Sequence, residues 1–372
     1  MQTRYLHKQI VKDLNTKMVF LGGPRQVGKT TLSQVLINHD PDRYLSWDDD
    51  NDRTRILKRE FTVSEGILIF DEIHKYRNWR NYIKGLFDKR KRDLKILVTG
   101  SARLDLYRHG GDSLQGRYFF IRMYPLSVAE LKLSQQEELE RLMTLGGFPE
   151  PYFTGDQQAR NRWANSYRSR LVREDLATLE QIRDLAPLEL LSVRLPDLVG
   201  SPISYNSLRE DLGVSHASVV RWCDAFERLY YIFRVYPFGA PTIKAVKKEA
   251  KHYQLDWSLV DEIGPRWENL VAVHLMKWCC YREDVLGEEV ELRYFRDIEA
   301  REVDFVVCRK RKPELFIEVK SSAEKSSPSL IYLKNKFPHV RAIQLALNIK
   351  KPFVDAHGIE HCSGLDFLRT LV

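Results

Sequence analysis

The stretch Gly23-Pro24-Arg25-Gln26-Val27-Gly28-Lys29-Thr30 decides the fold. It has the form G-x-x-x-x-G-K-S/T, and each residue type in it answers a chemical need. The glycines let the main chain wrap so that its N–H groups point at a β-phosphate. Lys29 reaches the β- and γ-phosphates, and the Thr30 hydroxyl can ligate Mg²⁺. A helix expected from Thr30, with Thr31 beside it, to about Asn38 adds the positive end of its dipole. The apolar run Met18-Val19-Phe20-Leu21 in front reads as a strand, so the loop joins strand to helix as phosphate binding requires.

Working outward, the next motif is Ile67-Leu68-Ile69-Phe70-Asp71-Glu72, a buried apolar strand ending in acid. Asp71 is expected to hold Mg²⁺ through water, and Glu72 to take a proton from an attacking water. One carboxylate suffices for the metal, so the doublet favours hydrolysis over binding alone. Leu97-Val98-Thr99-Gly100-Ser101 places small hydroxyls at the carboxyl end of a further strand, where ligands sit in such sheets. Ser101 or Thr99 is the expected γ-phosphate sensor. Arg117 and Arg173 are candidates for a charge-stabilising arginine, against the plainer reading of surface ion pairs. Strands expected at Met18–Leu21, Tyr44–Trp47, Ile67–Phe70, Lys95–Thr99 and Tyr118–Arg122 make residues 1–125 one parallel α/β domain.

At 372 residues the chain has room for two or three domains, and its 43% hydrophobic content excludes wholesale disorder. The net charge of +8 permits a polyanionic partner such as DNA without demanding one. The five cysteines form no C-x-x-C pair, which argues against a disulfide framework and a zinc ribbon. The first residues carry charge where a signal peptide would be apolar, and no run approaches the ~18 apolar residues of a membrane helix. A soluble, cytoplasmic chain with no membrane partner is expected.

Residues 126–200 read as helical, broken at Gly146-Gly147-Phe148-Pro149-Glu150-Pro151. Residues 201–240 have the grammar of a winged helix-turn-helix. Leu208 and Leu212 give the first helix an apolar face, Gly213 serves the turn, and Ser215 can cap the second helix. Val219, Cys223, Phe226 and Tyr230 form its expected core stripe. The exposed set His216, Ser218 and Arg221 is thin for a DNA reader, so packing or protein contact is an equal reading. Lys244, Lys247, Lys248 and Lys251 read as a basic connection. Asp48–Asp52 reads as a solvated loop, and Arg309–Lys312 as a solvated turn within reach of a DNA backbone.

In residues 241–372, Glu302-Val303-Asp304-Phe305 precedes Leu315-Phe316-Ile317-Glu318-Val319-Lys320. Period-two alternation puts Glu318 and Lys320 on one face of a strand, and an antiparallel neighbour can bring Asp304 beside them. Asp304 and Glu318 are then candidate Mg²⁺ ligands, with Lys320 positioning or helping to deprotonate a water. Glu268, near the start of an amphipathic helix, can add a third carboxylate. A strand edge protected by alternating charge is the competing reading.

Taken together, Gly22–Thr31, Phe70-Asp71-Glu72-Ile73-His74-Lys75, Leu97–Ser101 and Gly146–Glu150 resemble one family, the prokaryotic AAA+-type ATPases that carry a characteristic C-terminal domain. The resemblance implies a parallel-sheet P-loop ATPase core, a helical and winged-helix region, and an α+β restriction-endonuclease-like domain. Glu268, Asp304 and Glu318-x-Lys320 resemble the PD-(D/E)xK nuclease superfamily. The implied activity is hydrolysis of ATP with Mg²⁺, the nucleotide state controlling a nuclease-like DNA-processing domain. The alternative is an ATP-dependent DNA- or protein-binding switch with an inert terminal domain. AAA+-type cores often form rings, so a homo-oligomer is among the implied partners.

Overall fold

Short runs of Val, Ile, Leu and Phe build the first sheet. A computed structural model describes residues 4–90, 93–100, 114–176, 185–239, 250–322, 325–349 and 351–372. Ser101 lies outside them, as do Lys244, Lys247 and Lys248. The chain divides into two compact units, Met1–Tyr124 and Pro125–Val372.

In the first unit, β1 (Met18–Gly22), β2 (Tyr44–Ser46), β3 (Gly66–Asp71), β4 (Leu94–Thr99) and β5 (Tyr118–Arg122) form a parallel sheet in the order β2-β3-β4-β1-β5. All five residues of β1 are buried, as a strand covered on both faces requires. Because the strands run the same way, their carboxyl ends share one edge. There Leu21 and Asp71 each pair with Thr99, and Ser46 pairs with Asp71. The phosphate loop leaves β1 at that edge and enters the helix Lys29–Leu36.

One expectation changes here. The acidic run after β2 is not a solvated loop: the Asp49 side chain accepts from the Asp52 amide and starts the helix Asp50–Lys58. Carboxylates suit a helix N-terminus, whose free amides they cap and whose positive end they face. Arg117 precedes β5 at the opposite edge of the sheet, its carbonyl accepting from Met18 at the start of β1. Five residues of strand, roughly 16 Å, separate it from the phosphate loop. It pairs instead with Asp88 at 2.8 Å.

The second unit begins with the short helix Val128–Leu131; longer helices follow at Gln136–Leu145, Pro149–Thr154, Gln157–Arg170 and Ala186–Arg194. Between Gln136–Leu145 and Pro149–Thr154, Gly147 is obligatory: a Cβ there would lie 2.4 Å from the Trp257 ring and 2.9 Å from the Leu126 carbonyl oxygen. The Trp257 indole donates to the Leu142 carbonyl at 2.9 Å, so the glycine pair serves packing.

Helices Tyr205–Leu212 and His216–Arg228 follow, joined through Gly213 in the left-handed conformation, with the Ser215 side chain capping the second. Val219, Cys223 and Phe226 are buried as expected. Tyr230 is not part of the stripe; the helix ends at Arg228, Tyr230 turns the chain with φ 60°, and Trp222 fills core space instead.

The strands β6 (Ile232–Pro237), β7 (Lys251–Gln254), β8 (Val290–Arg296), β9 (Glu302–Arg309), β10 (Lys312–Ser322), β11 (Arg341–Asn348), β12 (Phe353–Val354) and β13 (Glu360–Ser363) form one sheet in the order β12-β13-β11-β10-β9-β8-β6-β7. The first four residues of β6 pair with β7 and its last two with β8, so the strand after the helix-turn-helix runs into the C-terminal sheet. The basic run Arg309–Lys312 is the β9–β10 hairpin turn, with Lys310 and Arg311 both at positive φ. Arg309 and Arg311 reach Glu288 and Glu289 at 3.4 and 3.9 Å.

Candidate nucleotide site and carboxylate centre

The phosphate loop closes on itself. The Lys29 ammonium, drawn into the loop and buried, donates to the Gly23 and Pro24 carbonyls at 2.9 and 2.6 Å. Arg4 donates to the Val27 carbonyl at 2.5 Å and to the Tyr124 carbonyl at 2.5 Å, fixing the loop to the chain beyond β5. Gly23 has φ 133°, and a Cβ on it would lie 2.3 Å from the Met123 carbonyl oxygen. Only glycine fits that approach. Gln26 (φ 59°) and Gly28 (φ 99°) complete the reversal that lets successive amides face one point. Pro24, Arg25 and Val27 lie within the loop, while Thr30 and Thr31 are exposed at the start of the helix.

Asp71 ends β3 between two hydroxyls. Thr99 Oγ1 donates to its Oδ1 and Tyr44 Oη to its Oδ2, each at 2.5 Å. Burial pushes the Asp71 carboxyl up from its ordinary value, and those two donors pull it back. The Tyr44 phenol also lies near the Thr30 hydroxyl, and burial with the neighbouring Asp71 charge raises its pKa. Tyr44 therefore stands beside both Thr30 and Asp71. Hard oxygen donors so placed suit Mg²⁺. Glu72 follows with φ 53°, its amide donating to the Thr99 carbonyl at 2.9 Å. Its carboxylate lies 3.4 Å from Lys75, which also pairs with Asp48 at 2.6 Å, and 3.6 Å from the His74 ring. Neither Tyr44 nor Arg4 was singled out from sequence.

In the second unit, β9 and β10 are antiparallel and bring Asp304 beside Glu318 and Lys320. Glu318 Oε1 takes the Lys320 ammonium at 2.7 Å, while Glu318 Oε2 is buried without a hydrogen-bond partner. The Val319 amide donates to Asp304 Oδ2 at 2.8 Å. Glu268, on the helix Ile263–Asp284, accepts from the Tyr253 hydroxyl at 2.7 Å. Among these carboxylates stands Lys251, which belongs to β7 and not to a connection. Its Nζ lies 2.5 Å from Glu302, 3.8 Å from Glu268 and 3.9 Å from Asp304. Four carboxylates thus face two ammoniums. Burial, and after it the Asp304 charge, pushes Glu268 up to about 8 and Glu318 up to about 7; burial also raises Asp304.

Whether a metal fits this centre is answered by its donors. Among the described residues no group of three or more His, Cys, Asp or Glu side chains is arranged to hold a metal ion. An ammonium already lies among the carboxylates, and one oxygen of Asp304 is committed to a backbone amide. Lys251 and Tyr253 of β7 and Glu302 of β9 were missed because the two strands are far apart in the chain and meet only in the fold.

Arg173 pairs with Glu189 at 2.8 Å within the second unit. No described helix is long and apolar enough to cross a membrane.

Comparison with known proteins bears on the first unit. Residues 15–132, most of that unit and the start of the second, match the family model of an AAA domain, which supports a P-loop ATPase fold there. Residues 136–264 and 263–354 match two domains of unknown function, DUF8612 and DUF4143, descriptions that name neither a nuclease fold nor an activity. The chain is 25% identical over 330 residues to an uncharacterized protein of Mycobacterium tuberculosis, covering 84% of this chain and 71% of that one. It is 26% identical over 305 residues to an uncharacterized protein of Methanocaldococcus jannaschii, with 72% and 68% covered. An uncharacterized protein of Haemophilus influenzae is 22% identical over 343 residues, with 85% and 82% covered. Among solved structures, a signal transduction ATPase with numerous domains from Pyrococcus horikoshii, which carries a tetratricopeptide repeat sensor, aligns at 14% identity and a TM-score of 0.27. That alignment covers 76% of this chain and 47% of that protein, a likeness too slight to inform the fold.

Proposed function

We propose that the chain is a Mg²⁺-dependent ATP hydrolase acting as a nucleotide-controlled switch, with the second unit as its output. The observation that carries this reading is the gathering of Lys29, Thr30, Tyr44, Asp71, Glu72 and Thr99 at one sheet edge. The loop amides and Lys29 bind the phosphates, Thr31 lies next to them at the helix start, and Thr30 and Asp71 hold Mg²⁺. When bound, the metal neutralises charge on the phosphate oxygens. Glu72 orients water and takes its proton as the water oxygen bonds to the γ-phosphorus and the bond to ADP breaks. Thr99 fixes Asp71, and Ser101 keeps the sensor role by its place in the sequence. An arginine from a second copy is the route by which a homo-oligomer would enter catalysis, since Arg117 lies at the far edge.

The output is read as binding rather than cleavage. The helix-turn-helix exposes His216 and Arg221, which can meet DNA or protein. Cleavage of DNA by Asp304, Glu318 and Lys320 has the Glu318–Lys320 pair in its favour. Against it stands the ammonium of Lys251 among the carboxylates.

The test is phosphate release from ATP by the full chain. The Glu72→Gln variant is expected to keep nucleotide affinity and lose ~10²–10⁴-fold in kcat. An unchanged rate would remove Glu72 from the chemistry. Capture of DNA or protein is expected to depend on ATP and salt and to survive Asp304→Ala; capture that also survives Lys29→Ala would contradict the switch.

A further inference from the structure

We propose that Lys251 is the resident counter-ion of the carboxylate centre, standing where a divalent cation would, so that Glu268, Glu302 and Asp304 are held by an ammonium instead of a metal. This goes beyond the nucleotide reading and concerns the second unit alone.

The position is built, not incidental. Lys251 is 1% exposed. Its backbone pairs with Val235 in β6 on one side and bridges to Pro202 on the other. Its Nζ lies 5.4 Å from the centre of the Tyr294 ring, a contact that favours a cation. A lysine so enclosed has no solvent-facing position to retreat to without moving β7. Carboxylates from β9 and from the helix Ile263–Asp284 reach it from different directions: Glu302 at 2.5 Å, Glu268 at 3.8 Å and Asp304 at 3.9 Å. That is the work a metal does in an acidic centre, drawing together oxygens that would otherwise repel.

Carboxylate oxygens on that side are already engaged. Gly200 lies against Glu268 so closely that a Cβ would come within 3.1 Å of its Oε1, and the Tyr253 hydroxyl takes the same oxygen. The second oxygen of Asp304 is bonded to the Val319 amide. A divalent ion placed among these groups would also sit against the ammonium, a like-charge contact in a poorly solvated place. Glu318 Oε2 is the one buried oxygen of the set without a hydrogen-bond partner, and a single carboxylate oxygen does not make a three-ligand site.

The experiment titrates the full-length chain with Mn²⁺ alone, without nucleotide, following free Mn²⁺ by electron paramagnetic resonance. Terbium luminescence sensitised through Tyr253 is the second readout. The native chain is expected to show no saturable site that Asp304→Asn removes. The Lys251→Met variant keeps the length of the stem and drops the charge; it is expected to gain one Mn²⁺ site, abolished by Asp304→Asn in the same background. A native site lost in Asp304→Asn would overturn the proposal, as would a folded Lys251→Met chain that binds no Mn²⁺. Should Lys251→Met fail to fold, the native chain against Asp304→Asn decides alone. Since no nucleotide is present, the result stands apart from any failure of the ATPase reading.

Discussion

Tyr44 and Asp71 share a 2.5 Å hydrogen bond across neighbouring strands, with Thr30 beside the same phenol. That hydroxyl lowers the pKa of an aspartate that burial has raised.

Removing that hydroxyl gives the first prediction. In Tyr44→Phe, Asp71 loses a donor to its charged form, so its pKa moves further up and a higher pH is needed to ionise it. The acid limb of kcat/KM for ATP hydrolysis is expected to shift to higher pH, with the basic limb unchanged. A pH–rate profile of the two proteins checks this, and superimposable acid limbs would contradict it.

The second prediction concerns stability in the second unit. The Lys277 ammonium is buried against Glu130 and also donates to the Pro125 carbonyl and Ser127 hydroxyl, each at 3.0 Å. Lys277→Met removes a cation from a buried carboxylate, a loss of about 3–5 kcal/mol. Adding Glu130→Leu is expected to recover much of it, because replacing both partners leaves no buried charge to compensate. Denaturant midpoints of the single and double variants measure the difference.

The third prediction is a pH dependence. His274 is buried and neutral in one tautomer: Nδ1–H donates to the Leu270 carbonyl at 2.8 Å, and Nε2 accepts from the Val128 amide at 3.1 Å. Burial lowers its pKa from 6.5 to about 3. The unfolded chain takes up this proton below pH 6.5 while the folded chain refuses it until about 3. Stability is therefore lost as pH falls through that window, by up to about 1.4 kcal/mol per pH unit. Relative to His274→Gln, the native chain is expected to lose stability from pH 6.5 down to 4 and to show no relative change from pH 7 to 8. Urea unfolding at stepped pH follows it.

The parts of this molecule legible in its sequence are those whose physics is local. The inner strands β1, β3 and β4 of the first sheet were readable because a strand covered on both faces is a nearly uninterrupted apolar run bounded by turn residues, while the edge strands β2 and β5 are only partly buried. The phosphate loop was readable because its glycines, Lys29 and Thr30 are neighbours in the chain. The Glu318–Lys320 pair followed from period-two alternation along a single strand. Lys251 was not legible. It opens the four-residue strand Lys251-His252-Tyr253-Gln254, whose polar side chains are all buried, a pattern that reads as exposed. Its partners Glu268, Glu302 and Asp304 come from two other elements, and nothing in the spacing announces that they meet. Tyr44 escaped notice for a related reason: in a three-residue strand, its role depends on Asp71, 27 residues on. Arg117, at the far end of β5 from the phosphate loop, pairs with Asp88, as the plainer reading of a surface ion pair has it.

The most direct test of the central claim is calorimetric titration of the full chain with ATP in the presence of Mg²⁺. Saturable binding is expected in the native protein, and its loss in Lys29→Ala. Absence of binding, or equal affinity in the Lys29→Ala chain, would contradict the assignment of the phosphate loop and the switch built on it.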